Sequence, residues 1–313
     1  MQHALDVDVD HPVPFLDLDA HATTVPRLFL IRSDRPTDPL HVLHAPALCL
    51  VAQGRKQVIL GREVFHYGPE NYLAVSVDLP VVGEVTEASP DKPYLCVRLD
   101  LDPAMLGSLI GEAGLREAGL GEAGLDGRHE GDGGSGLFLG RSTPEIVDAA
   151  TRLVQLLDAP REASVLAPLA ERELLCRVLL SGQAARLRQI AFADSSLRRV
   201  GRAVGWIKQT FRGPFSIAAV AGAAGMSPSS LHQHFKAVTT LSPLQYQKRL
   251  RLQEARRLVL GGMDAAGAGH SVGYDSPSQF SRDDRRLFGA PPMQDAARLR
   301  SCFDEPARAL LPA

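Results

Sequence analysis

One short pattern occurs twice in this chain, 49 positions apart, and it restricts the fold more than any other stretch. In the first copy Gly225-Met226 leads into Ser227-Pro228-Ser229-Ser230-Leu231, Phe235-Lys236 follows, and Leu241-Ser242-Pro243 closes the unit. In the second, Gly273-Tyr274 leads into Ser276-Pro277-Ser278-Gln279-Phe280, Asp284-Arg285 follows, and Ala290-Pro291-Pro292 closes it. Serine at an N-cap offers an oxygen to the free N–H groups of the first turn, and proline directly after it sits at N1, where its fixed φ suits a helix. Each Ser-Pro pair therefore predicts a helix start. Ahead of the first lies the helix-forming run Ile217 to Ala224, which stops at Gly225, the residue type that best tolerates a left-handed C-cap. Helix, tight glycine turn and capped helix make a helix-turn-helix. Leu231 and Phe235, four apart, fasten the second helix to the core and turn Ser229, His232, Gln233 and Lys236 outward, as a row that a DNA major groove could meet.

Charge sorts along the chain in the same place. The net charge of −2 conceals a basic segment, 195 to 300, with 16 Lys and Arg against 6 Asp and Glu, and an acidic one, 1 to 194, with 17 against 28. A basic segment that coincides with the duplicated motif is the electrostatic footprint of a DNA-binding domain.

The first copy, continued through Leu241-Ser242-Pro243-Leu244-Gln245-Tyr246 and Arg249 to Leu258, then Val272-Gly273-Tyr274 and Ser276 to Arg282, strongly resembles the AraC/XylS family of bacterial transcription regulators. The resemblance covers about a third of the chain. It implies base-contacting positions at Ser229, His232 and Gln233 in the first unit and at Ser278, Gln279 and Arg282 in the second. Lys236, Arg285 and Arg286 are placed for phosphates, which position a protein without specifying sequence. The implied partners are promoter DNA and RNA polymerase.

The second copy departs from the pattern. Asp284 stands where Phe235 stands in the first, and Ala265, Gly267 and Gly269 thin out the preceding helix. A carboxylate buried there without a partner is costly. Pairing with Arg285 or Arg286, or a turn outward, would relieve it, and the second unit is expected to be loosely folded before DNA binds. The principal base readout is therefore expected at His232 and Gln233.

Upstream, between Arg27 and Asp102, short β-type apolar runs are punctuated by Gly, Pro, Asp or Asn, the spacing of an all-β sandwich or barrel. Leu48 to Lys56, Val75 to Val81 and Lys92 to Leu95 resemble the N-terminal domain of one AraC-type subfamily, which implies a cupin-like double-stranded β-helix. The expected fold class is α+β multidomain, with an N-terminal cupin-like β-barrel and trailing helices before an all-α domain of two helix-turn-helix units. The expected divisions are an irregular lead-in (1–26), the β-domain (27–106), a Gly-rich low-complexity insertion (107–140), helices completing the N-terminal domain (141–190), a linker (191–196), the DNA-binding domain (197–300) and a tail (301–313). Apolar stripes over 144–157 and 166–190 predict helices that either cover the β-domain or pair two subunits. The resemblance implies a homodimer.

A small barrel has room for one organic ligand. By residue type alone, Arg55, Lys56, Arg62, Tyr67, Tyr94 and Arg98 are candidates for an effector pocket. His41, His44 and His66 lack the His-x-His pair and following Glu of a metal cupin, so no metal and no cofactor are expected. The four cysteines show no Cys-x-x-Cys spacing. Neither Cys49 nor Cys96 has an evident basic neighbour, which argues against thiol sensing without closing it. No run approaches the roughly 18 apolar residues of a membrane span, and no signal peptide is evident, so a cytoplasmic protein without a membrane partner is expected. The leading reading is an effector-controlled DNA-binding regulator with no catalytic step. A cupin-type metalloenzyme and an effector-independent architectural DNA binder stay open beside it.

Overall fold

A computed structural model describes residues 20–112, 135–181 and 195–308. Most of the expected lead-in, the centre of the Gly-rich insertion, the end of the second expected helical stretch (182–190) and most of the expected linker lie outside the described residues.

Among the described residues the N-terminal part holds ten strands: β1 (Ala20–Ala22), β2 (Leu28–Ser33), β3 (Leu40–His44), β4 (Ala47–Gln53), β5 (Arg55–Leu60), β6 (Glu63–Tyr67), β7 (Asn71–Val75), β8 (Leu79–Glu87), β9 (Tyr94–Asp100) and β10 (Leu137–Arg141). Every pairing is antiparallel. They form a six-stranded sheet, β1-β2-β9-β4-β7-β10, and a four-stranded sheet, β3-β8-β5-β6. The expected α+β architecture is borne out, and its β-domain is laid out as two antiparallel sheets. The physical reason lies in the hydrogen bonding: the strands are shared between two separate ladders, and no ladder joins the sheets among the described residues. Period-2 alternation inside each strand looks the same in a sandwich and a barrel, so the sequence could not separate them.

The expected insertion carries ordered ends. Helix α1 (Pro103–Glu112) buries Leu106, Leu109 and Ile110, and β10 pairs with β7 through Leu137↔Val75 to Arg141↔Asn71. Apolar burial of those end residues outweighs the helix-weakening glycine at 107. Helices α2 (Pro144–Gln155) and α3 (Pro160–Leu180) follow and bury Ile146, Leu153, Leu174, Leu175 and Val178. Leu169, expected in the apolar stripe, is 59% exposed.

Among the described residues, seven helices make the C-terminal part: α4 (Ser196–Thr210), α5 (Ile217–Ala224), α6 (Pro228–Thr239), α7 (Pro243–Leu260), α8 (Ala265–Ser271), α9 (Pro277–Phe288) and α10 (Pro292–Arg308). Two cores result. One runs without interruption from the β-domain through α4, α5 and α6 to Leu250 on α7. The other is small and serves the second unit, with Leu252, Val259, Val272, Tyr274, Phe280 and Phe288.

The two parts of the chain are joined by polar contacts as well as by the shared core. Lys208 on α4 donates to Asp78 at 2.6 Å, the Tyr246 hydroxyl donates to the Asp78 carbonyl at 2.8 Å, and the Gly136 amide donates to the Val238 carbonyl at 2.8 Å. At the second unit the His41 ring meets the Phe288 ring edge-on with centroids 5.4 Å apart, and Arg249 lies 3.4 Å from His41 Nδ1.

Candidate nucleic-acid interface

Both Ser-Pro starts form as their chemistry requires. Ser227 accepts from the Ser230 amide at 3.2 Å and Ser276 from the Gln279 amide at 3.4 Å, each with proline at the first helical turn. Gly225 at φ 64° makes the turn between α5 and α6, and Gly273 at φ 90° makes its counterpart between α8 and α9. Left-handed backbone of this kind strains any residue with a Cβ, which is why glycine recurs at both turns.

The caps set the start of each recognition helix, and burial sets its rotation. On α6, Leu231, Phe235 and Val238 are buried, while Ser229, His232, Gln233 and Lys236 are all exposed along one face. On α9, Phe280, Asp284 and Phe288 are buried, while Ser278, Gln279, Arg282, Arg285 and Arg286 are exposed. Each of the nine sequence-derived positions thus lies on the open side of its helix. Arg282 Nε donates to the Ser278 carbonyl at 3.2 Å, along its own helix.

Asp284 does not turn outward, and neither Arg285 nor Arg286 comes to it. It is 1% exposed, and its Oδ2 has no hydrogen-bond partner among the described residues. Burial pushes its carboxyl up to about 7, Asp295 adds to the rise, and Arg256 opposes it. Arg256 is already committed to Asp295 in a buried two-point pair, at 2.6 and 3.0 Å. Nearby on α7, both amide atoms of Gln253 and one Arg256 nitrogen also lack partners among the described residues. The second unit is nonetheless helical throughout. Gly269 is small because the Phe280 ring lies where a Cβ would stand, 2.9 Å away.

The six effector-pocket candidates separate. Tyr67 and Tyr94 are buried in the β-domain at 1% and 0% exposure, and burial first, then Cys96 and Tyr67, pushes the Tyr94 hydroxyl up. Arg98 is nearly buried, paired with Asp100 at 2.8 Å and placed over the Phe29 ring. Arg55 is half-exposed and paired with Glu70 and Glu87, Lys56 is partly buried along β5, and Arg62 is exposed in the β5–β6 turn. The two tyrosines share the buried interior of the β-domain, whereas Arg62 stands at its surface.

Cys49 has a neighbour the sequence did not reveal, His44, whose Nε2 lies 3.7 Å from its sulfur. The adjoining Cys96 thiol and burial nonetheless push Cys49 up, with His44 opposing. That is the reverse of what an activated thiol needs. Among the described residues no group of three or more His, Cys, Asp or Glu side chains is arranged to hold a metal. Among them also, no helix is long and apolar enough to cross a membrane.

Comparisons with known proteins agree with this geometry. Residues 24–186 match the family model of the AraC-type transcriptional regulator N-terminus, and residues 220–298 match that of a helix-turn-helix domain. A putative AraC-like transcription regulator from Streptomyces lividans is 39% identical over 79 residues, covering 25% of this chain and 26% of that protein. The HTH-type transcriptional activator RhaS from Escherichia fergusonii is 30% identical over 145 residues, covering 46% of this chain and 51% of that protein. The chain thus spans between about a quarter and about half the length of these curated relatives. In fold it is similar to ToxT from Vibrio cholerae bound to (E)-4-(8-methylnaphthalen-1-yl)but-3-enoic acid, with a TM-score of 0.54 and 11% identity over 86% of this chain and 97% of that one. A ToxT structure with an unsaturated fatty acid bound gives a TM-score of 0.53, with 10% identity over 86% of this chain and 93% of that one. Because the N-terminal match alone spans more than half of the 313 residues and a helix-turn-helix match follows it, the chain belongs to the AraC-type transcriptional regulators.

Proposed function

We propose that this chain regulates transcription by sequence-specific binding of double-stranded promoter DNA, with α6 and α9 entering successive major grooves about 34 Å apart on one face of the duplex. The observation that carries the reading is the matched exposure on the two helices, each with its apolar side buried and its polar row open. His232 and Gln233 are the principal base contacts, Gln279 and Arg282 extend the site, and Ser229 and Ser278 lie at its edges. Lys236, Arg285 and Arg286 hold phosphates. A glutamine pairs two-point with adenine and an arginine with guanine, each worth roughly 1–3 kcal/mol of discrimination.

The N-terminal domain supplies control in this reading. Tyr67 and Tyr94 are the innermost of the candidate pocket groups, which favours an effector with a large apolar part. The ligands named for the ToxT structures, carboxylic acids with a large apolar part, point the same way. Val165, Leu166, Leu169 and Leu180 on α3, with Val147 on α2, are exposed apolar side chains that suit a face between two subunits. RNA polymerase is the partner through which a bound regulator would act, in the cytoplasm, and no chemical step is involved.

Arg282→Ala and Lys236→Ala test the division of labour on DNA. The first should relax base preference at one position. The second should weaken binding evenly across sequences and lower the salt dependence by about one phosphate contact. Identical behaviour in a salt titration on matched and mismatched duplexes would refute the assignment.

A further inference from the structure

The two helix-turn-helix units meet around one side chain of α7. Arg251 Nε donates to the Phe211 carbonyl at 2.6 Å, and its two terminal nitrogens donate to Gly213 at 2.6 Å and Gly273 at 2.7 Å, with Arg212 a longer contact at 3.3 Å. Phe211, Arg212 and Gly213 end α4, the helix packed against α5 and α6 of the first unit. Gly273 is the turn that aims α9. The two backbones touch here, since a Cβ on Gly273 would stand 2.2 Å from the Arg212 carbonyl oxygen. Gln247, one turn earlier on α7, reaches only the first side, at 2.9 Å to Phe211 and 3.0 Å to Gly213.

The covalent route between the units is less restrictive. After α7 the chain turns through Gly261 and Gly262, and Gly262, at φ 100°, has no neighbour within 4 Å of where a Cβ would be. A glycine pair does not by itself hold a direction. A guanidinium does, because its N–H groups lie in one rigid plane, and here that plane is shared between the end of α4 and the turn before α9. Its positive charge also complements the carbonyl end of α4.

We propose that Arg251 is a positioning residue for DNA recognition: it sets the separation and relative rotation of α6 and α9, and so selects the spacing between the two groups of bases the protein accepts. A shift of one base pair displaces the second group by about 3.4 Å along the duplex and turns it by about 35°. A fixed pair of helices cannot follow such a shift. A lysine at 251 would offer one flexible ammonium in place of the planar fork, so α9 could swing to meet altered spacings.

The proposal rests on both helices reading bases, and one experiment tests the two ideas separately. Full-length protein selects binding sites from a random duplex pool, as wild type, Arg251→Lys, Gly273→Ala and Gln247→Ala, with each variant's melting transition recorded alongside. Wild type should return two base groups at one fixed separation. Arg251→Lys should return the first group unchanged, while its preference for the native separation over one base pair more or less falls about tenfold, the loss of one good base pairing. Gly273→Ala, which displaces the same contact from the other side, should broaden the separation too. Gln247→Ala should leave it as it was. A folded Arg251→Lys protein that keeps the wild-type spacing preference overturns the proposal. So does one that loses binding to every sequence together with its melting transition, because Arg251 would then hold the fold and not the pose. A single base group selected by wild type refutes readout by α9, and the proposal falls with it.

Discussion

The two helix-turn-helix units use the same caps and the same left-handed glycine turn, yet they are held in different ways. The first belongs to the large core: Leu231, Phe235 and Val238 are continuous with the β-domain, and Phe235 meets Tyr246 edge-on with centroids 5.5 Å apart. The second rests on a small core of its own with a carboxylate at its centre, where Asp284 has no partner for Oδ2 among the described residues. Capping and turn chemistry involve a few atoms close in sequence, so they can be duplicated without the packing behind them. The comparison teaches that local signals specify a recognition helix, whereas its stability is decided by what lies underneath.

The largest effect should come from removing the two aromatic anchors one at a time. Phe235→Ala and Phe280→Ala should each cost about 3–5 kcal/mol. The first should lower the main unfolding transition of the whole chain, and the second should open only the second unit, seen as a separate early transition in calorimetry or hydrogen exchange. A single transition shifted equally by both would break the distinction.

Asp284→Leu should stabilise the second unit by about 1–3 kcal/mol at pH 8, because it removes an unpaired buried carboxylate and fills the same space. Urea unfolding followed by a probe on α9 measures it, and no gain would mean that the carboxyl finds a partner the geometry does not reveal.

The pH dependence sharpens the same contrast. Asp284 has its carboxyl near 7 in the folded chain against an ordinary 3.8. Below the ordinary value both states are protonated and the group is harmless. As pH rises from 3.8 toward 7 the unfolded state ionises while the buried group stays protonated, so stability falls across that window and levels off only above 7. The second unit should therefore be firmer at pH 6.5 than at pH 8, and Asp284→Leu should flatten that slope. His41 acts in the opposite sense. Burial first, then Arg249 and Arg256, with Arg298 adding and Asp295 opposing, hold it near 4 against an ordinary 6.5. Its contact with Phe288 is at full strength above 6.5 and is lost as pH falls toward 4. Hydrogen exchange across β3 and α9 between pH 4 and 8 should show the two trends crossing.

The smallest effect is expected at the bond between the first unit and the β-domain. Asp78→Ala removes a partly buried ion pair with Lys208 and should cost about 1 kcal/mol, since such pairs give back much of their attraction in desolvation. A Lys208→Ala, Asp78→Ala double variant that loses no more in the main transition than Asp78→Ala alone would confirm that the pair acts as a unit.

Much of the site was legible because its signals are short-range. Ser227 and Ser276 announce helix starts, Gly225 announces a turn, and the spacing of Leu231 and Phe235 gives the rotation of α6. Several strands were not. β3, between Pro39 and Pro46, is too short to show alternation, and β8 contains Pro80 opposite Leu43, a residue that usually argues against a strand. β10 lay inside a Gly-rich stretch and is a strand because β7 offers it an edge. The neighbours of Asp284 were out of reach for the same reason, since Arg256 and Asp295 come from other helices.

By itself the sequence determined that this chain carries two capped helix-turn-helix units on a basic segment behind a β-rich domain, because caps, turns and alternation are written within a few residues. Only the tertiary structure decided that the β-domain is two antiparallel sheets, that one unit shares its core while the other stands on its own, and that Asp284 is buried beside an ion pair. It alone brought Arg251 to the backbones of both units. Ladder pairing, burial and the sharing of a guanidinium between distant carbonyls depend on where separated segments meet, and no local pattern records that.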